Sequence, residues 1–195
     1  MRIIAGRHKG RALAAPKGDK TRPTAARARE GLFNMLAHGG YGPGRSSAIG
    51  GASVLDAFAG TGAFAFEALS RGAASATLLE IDPRAIDAAR DNAAALGELD
   101  RTSIRRMDAT RPRAAATAHG LVFADPPYGR GLAAKALAAL AHQGWIATGA
   151  MVIVEVAESE QFSPPERFAL LTQRTSGAAR FVLMRYGGIG GEGGG

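Results

Sequence analysis

An α/β fold built on a mostly parallel sheet is predicted by three observations. Strand-like and helix-like patterns alternate between residues 53 and 156, acidic residues recur at the carboxyl ends of the strand patterns, and two of those ends run into unusual turns. Strands alternating with helices imply right-handed crossovers and a sheet covered on both faces. Two further strand patterns, 168–174 and 180–186, meet at Ser176-Gly177 and add an antiparallel hairpin at one edge. Ahead of this domain, a basic ribbon and a helix form an N-terminal extension.

The extension comes first in the chain. Its opening thirty residues carry nine cations, Arg2, Arg7, Lys9, Arg11, Lys17, Lys20, Arg22, Arg27 and Arg29, against Asp19 and Glu30. Gly6, Gly10, Pro16, Gly18 and Pro23 are interleaved with them, which suits a β-ribbon or extended arm better than one helix face. A helix follows over 24–36, where Ala28, Leu32 and Leu36 recur at helical spacing and Phe33 and Met35 widen the apolar stripe. Residues 1–38 are therefore read as the extension and 39–52 as a glycine-rich connector whose 39–51 stretch runs over the surface. Residues 53–186 are read as the main domain, and 187–195 as a disordered glycine-rich tail.

Within the main domain the expected order is strand 53–57, helix 63–71, strand 76–80, helix 83–96, strand 102–106, strand 120–124, helix 133–142 and strand 151–156. Ile86, Ala89, Ala93 and Leu96 share a face of the second of these helices, and Asp82 is placed to cap it ahead of Pro83. Trp145 is expected in the core. His8, His38, His119 and His142 show no metal-ligand spacing and are read as surface or capping residues.

Composition sets outer limits. The chain has 195 residues, enough for one domain with a substantial core, a net charge of +7 and a pI near 10.5. That excess suggests a polyanionic partner, and arginine, which supplies most of it, is suited to bidentate phosphate contacts and base stacking. Cysteine is absent, which excludes disulfides and cysteine-based zinc sites. No apolar run of membrane-spanning length or signal-peptide pattern is seen, so a cytoplasmic protein without metal or membrane partner is expected, and a monomer.

The first unusual turn is Asp56-Ala57-Phe58-Ala59-Gly60-Thr61-Gly62-Ala63. Gly60 and Gly62 permit positive φ and close approach of a ligand, and the next helix aims its N-terminal amides at that ligand. A carboxylate follows about twenty residues after the glycines, at Glu80, where nucleotide folds bind ribose hydroxyls. Gly60-Thr61-Gly62-Ala63-Phe64-Ala65 also satisfies the dinucleotide pattern G-x-G-x-x-A, so an NAD-binding dehydrogenase competes. Asp56 beneath the glycines disfavours a pyrophosphate and favours S-adenosylmethionine, which carries an ammonium and a sulfonium instead.

The second is Asp125-Pro126-Pro127-Tyr128, following the apolar run 120–124. Two prolines end the ladder, fix two φ angles and remove two donors. The resulting rigid corner presents a carboxylate, a free backbone carbonyl and an aromatic ring. Two acceptors can take both hydrogens of an exocyclic amine while the ring stacks on the base. This points to methylation of an amino nitrogen on a nucleobase. Asp56, Glu80, Asp108 and Asp125 all fall at or just beyond strand carboxyl ends, where ligands bind in such sheets. An adenine-N6 methyltransferase uses the same corner, and a non-catalytic RNA-binding module would share the basic extension.

The chain also resembles the bacterial RsmD-type guanine-N2 methyltransferases of small-subunit ribosomal RNA. The stretches that carry the resemblance are Arg2-Ile3-Ile4-Ala5-Gly6, Lys9-Gly10-Arg11, Thr21-Arg22-Pro23-Thr24 with Arg27 and Arg29-Glu30, the glycine turn, Glu67-Ala68-Leu69-Ser70-Arg71-Gly72 and the proline corner. They span nearly the whole chain outside the 39–51 connector and the glycine tail; Ala65 stands where the family often has glycine. The resemblance implies a class I, Rossmann-like, seven-stranded methyltransferase fold using S-adenosylmethionine. Asp56, Gly60 and Gly62 would line its methionine end, Glu80 its ribose, and Ile81 and Asp108 its adenine. Asp125, Pro126, Pro127 and Tyr128 would hold the guanine. The implied target is position 966 of 16S rRNA in the family's usual numbering, within a small-subunit particle or assembly intermediate. Arg7, Lys9, Arg11, Arg22, Arg27 and Arg29 would contact the RNA.

Overall fold

The computed structural model describes residues 1–14 and 23–187. Seven strands form one sheet: β1 (Ser53–Asp56), β2 (Ser75–Glu80), β3 (Thr102–Arg106), β4 (His119–Ala124), β5 (Ile146–Ala157), β6 (Phe168–Ser176) and β7 (Ala179–Tyr186). Their order is β3-β2-β1-β4-β5-β7-β6, parallel through β5 and antiparallel from β5 to β7 and β7 to β6. The helices are α1 (Pro23–His38), α2 (Ala63–Ser70), α3 (Pro83–Leu96) and α4 (Leu132–His142). The order reverses at β1/β4, and the carboxyl ends of both strands open onto the same edge.

Alternating residues of each strand feed two cores, as the period of a strand requires. Val54, Leu78, Leu121, Phe123, Met151 and Ile153 pack with α1, α2 and α3. Leu55, Leu79, Val122, Val152 and Val154 pack with α4 and Trp145. The stripe of α1 is buried as expected at Ala28, Leu32, Phe33 and Leu36. Asp82 caps α3 by accepting the Arg84 amide hydrogen, Pro83 opens the helix, and Gly97 closes it in the left-handed region. No helix among the described residues is long and apolar enough to cross a membrane.

The ribbon forms and is docked. The Ile3 amide donates to the Arg11 carbonyl and the Gly10 amide to the Ile3 carbonyl, and Arg2 bridges Ala12. Glu67 on α2, fully buried, accepts the amides of Ile4 at 2.7 Å and Ala5 at 3.1 Å and pairs with Arg71 at 2.7 Å. Ser70 accepts from the His8 amide through its hydroxyl and from the Arg7 amide through its carbonyl. Gly6 (φ +83) sits so close that a Cβ there would lie 1.9 Å from the Ser70 carbonyl oxygen, so only glycine fits. Asn92 of α3 holds Ala14 through both its amide and carbonyl and donates to the Thr61 carbonyl, tying the ribbon's end to the glycine turn.

Several expectations are corrected. Ala48 and Ile49 of the connector are buried, because the Ala48 amide caps α1 at the Leu36 carbonyl; only its outer part follows the surface. Strand β5 begins five residues before the expected start, past an irregularity in its pairing with β4 that Thr148 and Gly149 (φ +80) disguise in the sequence. His119 is neither surface nor cap. It is buried, hydrogen-bonded to Ser53 at 2.8 Å and stacked on Trp145, and burial pushes its pKa down to about 4, leaving it neutral. Trp145 is in the core, as expected. The expected tail lies outside the described residues from 188 onward.

Candidate active site

Four strand ends converge. Asp56 closes β1, Glu80 closes β2, Asp108 lies two residues beyond β3, and Asp125 follows β4 directly. The turns leaving them are stitched to neighbouring strands, with the Ala57 amide on Phe123, Ala59 on Leu79 and Met107 on Glu80. A parallel sheet puts these ends on one edge, so residues up to 69 positions apart line the same edge.

The glycine turn is built for a close ligand. Gly60 takes φ +52 with nothing within 4 Å of where a Cβ would stand, whereas at Gly62 (φ +84) a Cβ would meet Phe66 at 2.4 Å. Gly60 therefore borders open space, and Gly62 is required by helix packing. Asp56 is buried; one carboxyl oxygen accepts the Ala65 amide at 3.2 Å and the other is buried with no partner. Burial pushes its pKa up to about 7; the Ala65 hydrogen bond opposes that shift and the Glu80 charge adds to it. An orphaned, buried acceptor of this kind suits a cationic ligand group.

Glu80 braces the turn. It accepts the Gly60 amide at 2.7 Å through one oxygen and the Ile81 and Asp82 amides at 2.6 and 2.9 Å through the other. A carboxylate has about four acceptor positions, so Glu80 keeps capacity for a hydroxyl. Ile81 is 60% exposed, an apolar surface beside that carboxylate. Asp108 accepts the Thr110 amide and hydroxyl, both at 2.8 Å. Burial works against its charge, but these bonds and nearby Arg111 and Lys135 hold its pKa below the usual carboxylate range. Acceptor beneath the turn, a carboxylate with capacity left for a hydroxyl and an exposed apolar side chain together fit S-adenosylmethionine.

At the proline corner, Pro126 is buried and Asp125 partly so. Burial, then the charges of Glu155 and Asp56, push the Asp125 pKa up to about 8. The Tyr128 hydroxyl donates to Glu155 at 2.6 Å, and the Gly129 amide donates to Glu160 at 3.0 Å, fixing the turn beyond the corner. Burial and Glu155 together raise the tyrosine's pKa above its usual value. Phe64 and Phe123, stacked at 5.1 Å, lie behind Asp125 with Phe33 next to them. Glu155 was not among the residues expected from sequence. The signal for it is a charge inside the run Met151-Val152-Ile153-Val154-Glu155-Val156, in a strand buried on both faces.

These raised values carry a pH dependence. A carboxyl whose pKa rises on folding favours the folded state below its unfolded value and loses that contribution as pH climbs through the folded value. Asp56 and Asp125 thus lose their contribution between about pH 4 and pH 8, while His119, whose pKa falls on folding, works the other way up to about pH 6.5; a net loss of ligand-free stability is expected from about pH 6.5 to pH 8. In the same range the ionised, accepting form of Asp125 appears, so kcat/KM for methyl transfer should rise toward a plateau above about pH 8. A flat single-turnover profile from pH 6 to 9 would refute the need for ionised Asp125.

The cationic candidates divide. Lys9 and Arg27 are exposed. Arg7 donates to the Leu69 carbonyl and Arg11 to the Ala95 carbonyl, near the ends of α2 and α3, and both remain solvent-accessible. Arg29 is 5% exposed and donates to the Arg2 carbonyl and the Met1 sulfur, so it fastens the ribbon to α1 and is corrected out of the RNA-facing set. Arg22 lies outside the described residues. No group of three or more His, Cys, Asp or Glu among the described residues could hold a metal ion.

The family described as Conserved hypothetical protein 95 matches residues 1–185. The chain is 36% identical to ribosomal RNA small subunit methyltransferase D of Escherichia coli K12, over 95% of this chain and 89% of that one. Identity to the Haemophilus influenzae protein of the same name is 31%, covering 95% and 93%. The solved structure of yhhF from Escherichia coli superposes with a TM-score of 0.80 at 34% identity, covering 97% of this chain and 99% of that one. The sheet order, the glycine turn and the proline corner agree with these likenesses: the chain is a class I methyltransferase belonging to the ribosomal RNA small subunit methyltransferase D family.

Proposed function

We propose that this chain transfers the methyl group of S-adenosylmethionine to the exocyclic N2 amine of a guanine in small-subunit ribosomal RNA, at position 966 of the 16S molecule. The observation that carries the reading is the corner: a partly buried Asp125 beside a proline-fixed carbonyl, with Tyr128 tethered at its rim. S-adenosylmethionine supplies an electrophilic methyl on a sulfonium. The chain's own residues do the rest. Asp125 and the Pro126 carbonyl accept the two amine hydrogens, which draws the nitrogen lone pair out of conjugation and aims it across the cleft. Tyr128 stacks on a base that has left its helix, since a paired guanine does not present this edge. Asp56 and the glycine turn hold the donor in line, so positioning supplies much of the acceleration. Asp125 can take the proton released afterward. Arg7, Lys9, Arg11 and Arg27 hold the phosphates, and the substrate is an RNA within a small-subunit particle or assembly intermediate.

The test is to incubate the protein with S-adenosylmethionine and unmodified small-subunit particles, digest the RNA and identify methylated nucleosides by mass spectrometry. N2-methylguanosine is expected. Methyladenosine would keep the chemistry and reject the target, and no methylated nucleoside would reject the reading.

A further inference from the structure

Glu155 makes one side-chain hydrogen bond among the described residues, to Tyr128. It stands on β5, beside the proline corner that ends β4. Its Oε1 accepts from Tyr128, while no partner for Oε2 is found among the described residues. Glu155 shares with Asp125, Phe64, Phe123, Ile153 and Phe181 the lining of a narrow cleft at the corner. No cation offsets it there; burial raises its pKa and only the Tyr128 hydroxyl opposes that. A half-buried carboxylate is an expensive way to tether one tyrosine, and the free oxygen suggests a second donor.

Guanine offers one. Along its Watson–Crick edge, the N2 amine that reacts lies next to a second donor, N1–H. Adenine, whose amine could occupy the same corner, places an unprotonated N1, an acceptor, beside that amine. Once Asp125 and the Pro126 carbonyl have taken the amine hydrogens, the next atom along the edge is N1. A carboxylate there attracts guanine and repels adenine. A site built to bond a substrate hydrogen discriminates strongly against an analogue lacking it, because the acceptor that the docked base strips of water is then left unpaired.

We infer that Glu155 is the specificity-determining residue of the site, its carboxylate accepting the N1–H of the target guanine while it holds the Tyr128 hydroxyl. The inference rests on the proposed guanine-N2 reading and extends it from the reacting amine to the choice of base.

The experiment uses small-subunit particles carrying either guanine or 2-aminopurine at the target position. 2-Aminopurine keeps the 2-amine but has an unprotonated N1. The wild-type protein should favour guanine by about a hundredfold or more in kcat/KM. Glu155→Ala, which also removes the tether, should lower 2-aminopurine only by the factor that Tyr128→Phe shows, and guanine by about a further ten- to hundredfold, the equivalent of one hydrogen bond to a charged group. The preference then collapses. Tyr128→Phe, which removes the tether and keeps the carboxylate, should lower both substrates by one common factor. Thermal melting and S-adenosylmethionine binding establish that each variant is folded. If Glu155→Ala lowers both substrates equally, Glu155 acts only through Tyr128 and the inference is overturned while the guanine reading survives. A wild-type protein that methylates neither base overturns both.

Discussion

Asp125→Ala will reduce methyl transfer by on the order of a hundred- to thousandfold in kcat, the loss typical of removing one group that stabilises charge or geometry only in the transition state. In the proposed arrangement Asp125 faces the base while Asp56, Gly60 and Glu80 face the donor, so cofactor affinity should change little. Asp125→Asn keeps an acceptor oxygen and should lie between the two. The substitution should also stabilise the ligand-free fold at neutral pH, since it removes a carboxyl that burial, Glu155 and Asp56 all hold against ionisation. Turnover by rapid quench and binding by calorimetry separate these effects. Near-normal turnover in Asp125→Asn with both ligands bound would remove the carboxylate from the mechanism.

Glu67→Ala is expected to cost about 3–5 kcal/mol, the usual price of breaking a buried ion pair, against a total stability of about 5–15 kcal/mol for a domain. The loss has identifiable parts. Arg71 loses its anionic partner and keeps only Asn34 and the Phe33 ring, and the Ile4 and Ala5 amides lose their acceptor. Glu67→Gln, able to accept from one side only, should cost less. Urea denaturation measures the total, and hydrogen exchange at Ile4 and Ala5 localises it. RNA affinity should fall in step with ribbon undocking, while the glycine turn of the folded fraction still binds S-adenosylmethionine. A change below about 1 kcal/mol would mean that Ser70 and Asn92 hold the ribbon without Glu67.

Much of this was legible in the sequence because the signals are local. Pro83 with Asp82, and the β-branched and leucine-rich runs of β1, β2 and β4, announce their elements within a few residues. The acidic strand ends were legible for a topological reason: parallel strands must finish on one edge. What escaped notice depends on partners distant in the chain. Arg29 looks like its exposed neighbours until the ribbon folds back to give it the Arg2 carbonyl. His119 looks like a surface residue until Trp145 stacks on it. Glu155 becomes meaningful only when β5 is laid against β4, bringing it within 2.6 Å of Tyr128.

The ribbon's partners also fix an order of events during synthesis. Ala5 meets Glu67 62 residues further along, and His8 meets Glu98 90 residues further along. A chain translated from its N-terminus makes this basic segment first and can seat it only after α2 and α3 have been made. A nascent chain ending before residue 67 would display the cations with neither their latch nor a complete α2. One carried past residue 98 has the acceptors that the described ribbon residues use, so the ribbon can seat before β3, Asp108 and the proline corner have been made.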